Sequence, residues 1–235
     1  MTTETRYRQL DEAQILATLG RLKGRIGERF PGSSLAGVAE QLLAIARRTE
    51  ALVDFLRRPL WAIRIAGGAA IAAIAVVLYR VLAGMGPARL KELGDVMATF
   101  NTAVSDLVFL SAAVFFLATL ETRLKRRRAL AALHELRSIA HIVDMHQLTK
   151  DPERLLSAQP DTASSPKRAM TAAELGRYLD YCSELLSLTS KLAALHIQYF
   201  NDAVTLAAVN EIESLTTGLS GKIWQKITLL ERTRR

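Results

Sequence analysis

The sequence predicts an all-α membrane protein, in which a two-helix transmembrane hairpin carries a cytoplasmic helical bundle or coiled coil built from both termini. Three observations predict this class. Two apolar stretches near the middle of the chain are long enough to cross a bilayer. Lysine and arginine cluster on the outer flanks of these stretches. Elsewhere, apolar residues recur at the three- and four-residue spacing of amphipathic helices.

The composition indicates that apolar and basic residues are separated along the chain. Half of the 235 residues are hydrophobic, yet the formal net charge is +8. The basic residues lie beside the apolar stretches, which favours a lipid surface over nucleic acid, and no nucleic-acid-binding motif accompanies the charge. The lone cysteine, Cys182, has no partner for an intramolecular disulfide. We therefore expect a membrane protein whose polar part lies in a reducing compartment.

Three segments are expected along the chain. Residues 1–59 are predicted to form an amphipathic helical hairpin that ends before Pro59. Residues 60–121 are predicted to form the transmembrane hairpin. Residues 122–235 are predicted to form a helical or coiled-coil domain with a flexible loop near 157–169, where serine, proline and charged residues are frequent.

The spans are predicted at about residues 61–85 and 102–120. The first would reach about 37 Å as a helix, enough to cross a hydrocarbon layer of about 30 Å with some tilt. No signal-peptide pattern precedes it, so we expect both spans to be retained as anchors. Basic residues in the outer flanks outnumber those in the connecting loop, so both termini are predicted to be cytoplasmic in a bacterial inner membrane. The flanking residues are Arg47, Arg48, Arg57, Arg58 and Arg64 before the uncharged part of the first span, and Arg123 and Lys125 to Arg128 after the second span.

Charged residues at the span ends predict how the two helices align. Arg64 and Arg80 are sixteen residues apart, and Asp106 and Glu121 are fifteen apart. Each pair therefore covers about 22 to 24 Å of helix. In an antiparallel hairpin this spacing pairs Arg64 with Glu121 at the inner end and Arg80 with Asp106 at the outer end.

Small residues on the first span predict close helix packing. Gly68 and Ala72 are one turn apart, the spacing that lets helix backbones approach within a membrane. The contact could lie within the hairpin or between subunits.

The carboxyl-terminal segment is predicted to begin at a helix cap. It is also predicted to carry a seam, that is, a line of apolar residues along one helix face. Thr171 and Glu174 have the spacing of a capping box. From there a long helical region is expected to run to about Leu230, with leucines at coiled-coil-like spacing. Asp202 falls on this seam, where a polar residue usually fixes register or partner choice.

Candidate metal ligands are few. His141 and Asp144 are three residues apart on one helix face and are the weak candidates for a metal site. A closed site would need ligands from another helix, and hydrogen bonding within a bundle is the competing interpretation. No cofactor is predicted, and no nucleophile, phosphate-loop or zinc-protease motif supports an enzyme.

These features favour a non-enzymatic membrane protein that self-associates through its cytoplasmic helices and acts as a scaffold or regulatory partner of other proteins. The first alternative is an oligomeric channel or pore with Asp106 at its mouth, because two spans enclose a pathway only when several subunits assemble. The second alternative is a metal-responsive membrane sensor acting through His141 and Asp144. The predicted partners are the lipid bilayer, further copies of the chain and other proteins.

Overall fold

The structure, a computed structural model, describes residues 9–84, 93–152 and 170–232. The prediction of an all-α fold is confirmed: 90% of this part of the chain is helical, and it holds no strand. The loop predicted near 157–169 lies outside the described residues. The helices are α1 (Glu12–Arg29), α2 (Ser34–Arg57), α3 (Trp61–Gly84), α4 (Leu93–Leu148), α5 (Ala172–Tyr199) and α6 (Ala203–Arg232).

The chain forms two compact units. The bundle unit comprises Met1–Arg57 and Arg126–Arg235, and the apolar unit comprises Arg58–Lys125. Helix α4 is continuous through the boundary between them. In sequence, the apolar unit is thus a single insertion within the bundle unit, with a helical segment on each side.

Helices α1 and α2 begin and end where local chemistry favours it. Asp11 caps α1 by accepting a hydrogen bond from the Gln14 N–H at 3.1 Å. The turn between α1 and α2 contains Gly32 at φ +68, a left-handed conformation that glycine adopts without steric cost. Helix α2 ends two residues before Pro59, as the sequence predicts.

Helices α5 and α6 confirm the predicted cap and correct the predicted length of the helix that follows it. The capping box is confirmed: the Thr171 hydroxyl accepts from the Glu174 N–H, and the Glu174 carboxylate accepts from the Thr171 N–H. The continuous seam through Asp202 is wrong, because α5 ends at Tyr199 and α6 starts at Ala203. The two helices pack against each other across this short break. Asp202 therefore lies at a helix start, not on a coiled-coil seam.

The bundle unit buries one contiguous apolar core. Helices α1, α2, α5, α6 and the second half of α4 all contribute to it. The largest side chains that are fully buried are leucines and one isoleucine, which come from every one of these helices except α6. They are Leu19, Leu22, Ile26, Leu35, Leu42, Leu56, Leu133, Leu136, Leu179, Leu185, Leu186 and Leu192.

The apolar unit exposes large hydrophobic side chains. One described helical stretch, Ser34–Val76, includes an 18-residue window apolar enough to cross a membrane, with mean hydropathy 1.7 and none of it buried. Since α2 is substantially buried in the core, this exposed window belongs to α3. In α4, Phe109 and Phe115 are 76% and 66% exposed. Several side chains of the second predicted span lie outside the described residues, and α3 is the one candidate span identified in the described chain.

Candidate functional site

The first group of charged residues, here called the anchor cluster, consists of Arg64, Glu121, Lys125 and the backbone N–H of Leu60. Arg64 Nε lies 3.0 Å from Glu121 Oε2, and Lys125 Nζ lies 2.9 Å from Glu121 Oε1. The Leu60 N–H donates to Glu121 Oε1 at 3.4 Å. One carboxylate on α4 therefore holds the start of α3 through a side chain and a backbone group.

The anchor cluster keeps Glu121 ionised. Burial would raise the pKa of Glu121, but hydrogen bonds from Arg64, Lys125 and the Leu60 N–H outweigh it and lower this pKa to about 2. The Glu121 and Lys125 side chains are only 14% and 9% exposed, whereas that of Arg64 is 56% exposed. A carboxylate held this way does not exchange protons near neutral pH, so its role is to fix the two helices together.

The structure brings together one of the two charge pairs expected from the sequence. Arg64 and Glu121 are in contact, at the register that their spacing predicts. The other pair, Arg80 with Asp106, is not described, because the side chain of Asp106 lies outside the described residues. Asp106 as the mouth charge of a pore is untested for the same reason.

A second group, here called the helix junction, consists of Arg126, Asp202 and Thr205. Arg126 donates to both carboxylate oxygens of Asp202, with the shortest distance 2.6 Å from Nη2 to Oδ1. The same carboxylate accepts from the Thr205 N–H and hydroxyl, each at 3.0 Å. Asp202 thus caps the start of α6 while it binds α4.

In the helix junction, the acidic side chain is buried and the basic side chain is partly exposed. The Asp202 side chain is 7% exposed and that of Arg126 37% exposed. The hydrogen bond from Arg126, with further bonds from Thr205, lowers the pKa of Asp202 against the opposing effect of burial. The result is a planar, two-point contact that fixes the orientation of α6 relative to α4.

Lys226 holds the carboxyl-terminal end of α4. Its Nζ donates to the Gln147 carbonyl oxygen at 2.8 Å and to Gln147 Oε1 at 2.7 Å. The last carbonyls of a helix have no intrahelical partner, so a lysine satisfies one of them here. Gln147 in turn donates to Asp144 Oδ1 at 2.6 Å.

The metal candidates are not assembled into a site. Asp144 is engaged by Gln147, and His141 is exposed on α4. Among the residues that the structure describes, no three histidine, cysteine or acidic side chains come close enough to hold a metal ion. The metal-sensor alternative therefore gains no geometric support from the described residues.

The small-residue motif lies on an open face of α3. A Cβ added to Gly68 would have no neighbour within 4 Å, and Ala72 is exposed. Close packing at these positions is thus not seen within the described chain. Packing between subunits stays a prediction.

Two buried titratable side chains have fixed protonation states. Burial raises the pKa of Cys182 to about 12, so its thiol is protonated and unreactive. His196 is fully buried, and burial lowers its pKa. Its Nδ1 lies 3.0 Å from the Leu192 carbonyl oxygen, which requires the proton on Nδ1. Nε2 is left without a hydrogen-bond partner.

We expect His196 to make the bundle acid-sensitive. Its folded-state pKa lies below the unfolded value of about 6.5, so the unfolded chain binds the extra proton first and stability falls as pH decreases below that value. The slope is at most about 1.4 kcal/mol per pH unit for one proton. Thermal unfolding between pH 7 and 5 should show this loss, and His196→Phe should flatten it. Equal slopes for the two proteins would contradict the assignment.

Sequence reasoning missed most of the contacts that hold these groups. Arg126 belongs to a run of basic residues and gives no local sign of its partner, which lies 76 residues away. A local signal for the helix start did exist, because an aspartate at an N-cap accepts a hydrogen bond from the backbone N–H three residues later, as Asp202 does from Thr205. The sequence around Lys226 and Gln147 contains no pattern that predicts their contact.

The fold and these contacts define a class of protein. It is all-helical, with a bundle that has a buried core, an exposed apolar helix, and charged residues that connect its helices. Comparison with protein-family models, with curated proteins and with solved structures finds no match.

Proposed function

We propose that the protein is a non-enzymatic, membrane-anchored helical scaffold that self-associates through its bundle unit and acts as a regulatory or structural partner of other proteins. The observation that supports this proposal most is that α3 has an apolar window in which no residue is buried, while the bundle unit buries its own core. In water, exposing that window would be costly, because each square ångström of apolar surface costs about 25 cal/mol. Lipid removes this cost.

The proposed topology follows from the basic flanks. The apolar unit would cross the bacterial inner membrane twice, through α3 and the first part of α4, with both termini in the cytoplasm. The anchor cluster suits the cytoplasmic boundary, because a charged cluster is tolerated where side chains reach the interface.

Self-association is supported by apolar side chains left exposed on the bundle unit. Ile142, Met145 and Leu148 lie three residues apart on α4 and are 39%, 68% and 61% exposed. Spacing by three keeps them near one helix face, so they form a short apolar stripe. Apolar stripes of this kind are typical of helix contacts between copies.

We expect Met145→Lys to weaken self-association. Burying an unpaired ammonium group in an apolar contact is unfavourable, so the molar mass of the particle in detergent should fall toward that of one chain. Light scattering coupled to size exclusion measures this mass. Ala13→Lys, which adds the same charge at an exposed position of α1, is the matched control and should leave the mass unchanged. A wild-type protein that is already monomeric would contradict self-association.

A further inference from the structure

Arg123 lies where α4 leaves its apolar stretch. Its guanidinium carbon is 5.9 Å from the centre of the Phe116 ring, and Phe116 is 52% exposed. Side chains on a helix lean toward its amino-terminal end, so Arg123 reaches back toward the apolar part of α4. An arginine placed over an exposed aromatic ring presents its guanidinium beside apolar surface.

The charge of Arg123 is not offset by Glu121, which lies two residues before it in the chain. The Glu121 carboxylate is engaged by Arg64 and Lys125, and residues two positions apart on a helix lie on different sides of it. Arg123 itself is exposed and makes no ion pair in the described part of the apolar unit.

We propose that Arg123 and Phe116 form a binding site for an anionic phospholipid. The guanidinium would donate two parallel hydrogen bonds to the headgroup phosphate, and an acyl chain would cover Phe116. This inference rests on the proposed membrane anchor. A free phosphate ion would satisfy the charge, but it would leave the exposed aromatic ring in contact with water. The combination of an uncompensated cation with apolar surface fits a lipid.

Trp61 provides the reporter for a test. It directly follows Leu60, whose N–H contacts Glu121, so it lies beside the anchor cluster, and it is 65% exposed. The chain has one other tryptophan, Trp224, which is also 65% exposed and therefore suited to replacement by phenylalanine. In full-length protein carrying Trp224→Phe, quenching of Trp61 by lipids with brominated acyl chains reports which lipids lie at this end of the apolar unit, and the Arg123 variants below assign the effect to the site.

The protein is reconstituted in mixtures of phosphatidylglycerol and phosphatidylcholine, with one or the other lipid brominated. We expect phosphatidylglycerol to be preferred by roughly fivefold, the factor that corresponds to the usual effect of one basic residue near an anionic surface. Arg123→Gln should abolish the preference, and Arg123→Lys should retain part of it because the charge remains. Arg21→Gln removes an exposed arginine of α1 and is the matched control; it should not change the preference. Millimolar inorganic phosphate should not reduce it either.

Each contrary result has a distinct meaning. Equal quenching by the two brominated lipids would overturn the lipid site while leaving the membrane anchor in place. Quenching by neither lipid would overturn the anchor and the site together. A preference that survives Arg123→Gln would show that other residues bind the lipid, and loss of the preference on adding phosphate would indicate a simple anion site. Either result would overturn the proposal.

Discussion

Glu121→Ala is expected to lower the thermal unfolding midpoint of the detergent-solubilised protein by roughly 6 to 12 °C. The substitution leaves Lys125, which is only 9% exposed at its side chain, without its carboxylate. Removing one partner of a buried ion pair typically costs about 3 to 5 kcal/mol, and the lower end applies here because Arg64 remains half exposed. Trp61 fluorescence in the Trp224→Phe background follows the region next to the cluster.

One further variant distinguishes charge from shape at Glu121, and a second variant elsewhere in the chain is its control. Glu121→Gln keeps the volume and an oxygen acceptor but removes the negative charge, so an intermediate midpoint is expected. Glu40→Gln breaks the ion pair between Lys23 and Glu40, whose side chains are 38% and 66% exposed, and should have no measurable effect. If Glu121→Ala unfolded at the wild-type midpoint, the anchor cluster would not hold α3 to α4.

Asp202→Ala is expected to loosen the bundle unit by about 2 kcal/mol, the upper end for loss of a helix N-cap, because this cap is buried. The readout is the buried thiol of Cys182, the only cysteine, which reacts with maleimide when the bundle opens. A loss of this size should speed labelling roughly thirtyfold when opening is fast relative to reaction.

Asp202→Asn separates the two roles of this side chain. Asparagine is as good an N-cap as aspartate, so the helix start is kept while the charged contact to Arg126 is weakened. Labelling of Cys182 should then lie between wild type and Asp202→Ala. Arg126→Gln should resemble Asp202→Asn, and combining the two changes should add little, because both remove the same contact. Fully additive effects would show that the pair does not interact.

The sequence predicted local features of the fold well. The cap at Thr171 and the break before Pro59 depend on neighbouring residues alone, which is why they were readable. The contact of Arg64 with Glu121 was also accessible, because helical rise converts residue spacing into depth.

The sequence did not predict the end of α5. Apolar residues at three- and four-residue spacing lie on both sides of residues 200–202, and no proline or glycine marks the break, so periodicity alone favoured one long helix. The contacts of Arg126 and Lys226 join residues 76 and 79 positions apart, and no local pattern specifies such pairs. The periodic pattern predicts that Asp202 sets the register of a coiled coil. In the structure Asp202 instead caps the start of α6 and pairs with Arg126.

Water accessibility of α3 tests the membrane anchor most directly. In a Cys182→Ala background, Ala72→Cys places a thiol in the exposed apolar part of α3, and Ser138→Cys places one on the exposed face of α4 in the bundle unit. In isolated membranes, a water-soluble maleimide should label Ser138→Cys and leave Ala72→Cys unlabelled until the protein is unfolded in denaturing detergent. Labelling of Ala72→Cys at the same rate as Ser138→Cys in intact membranes would contradict a helix surrounded by lipid.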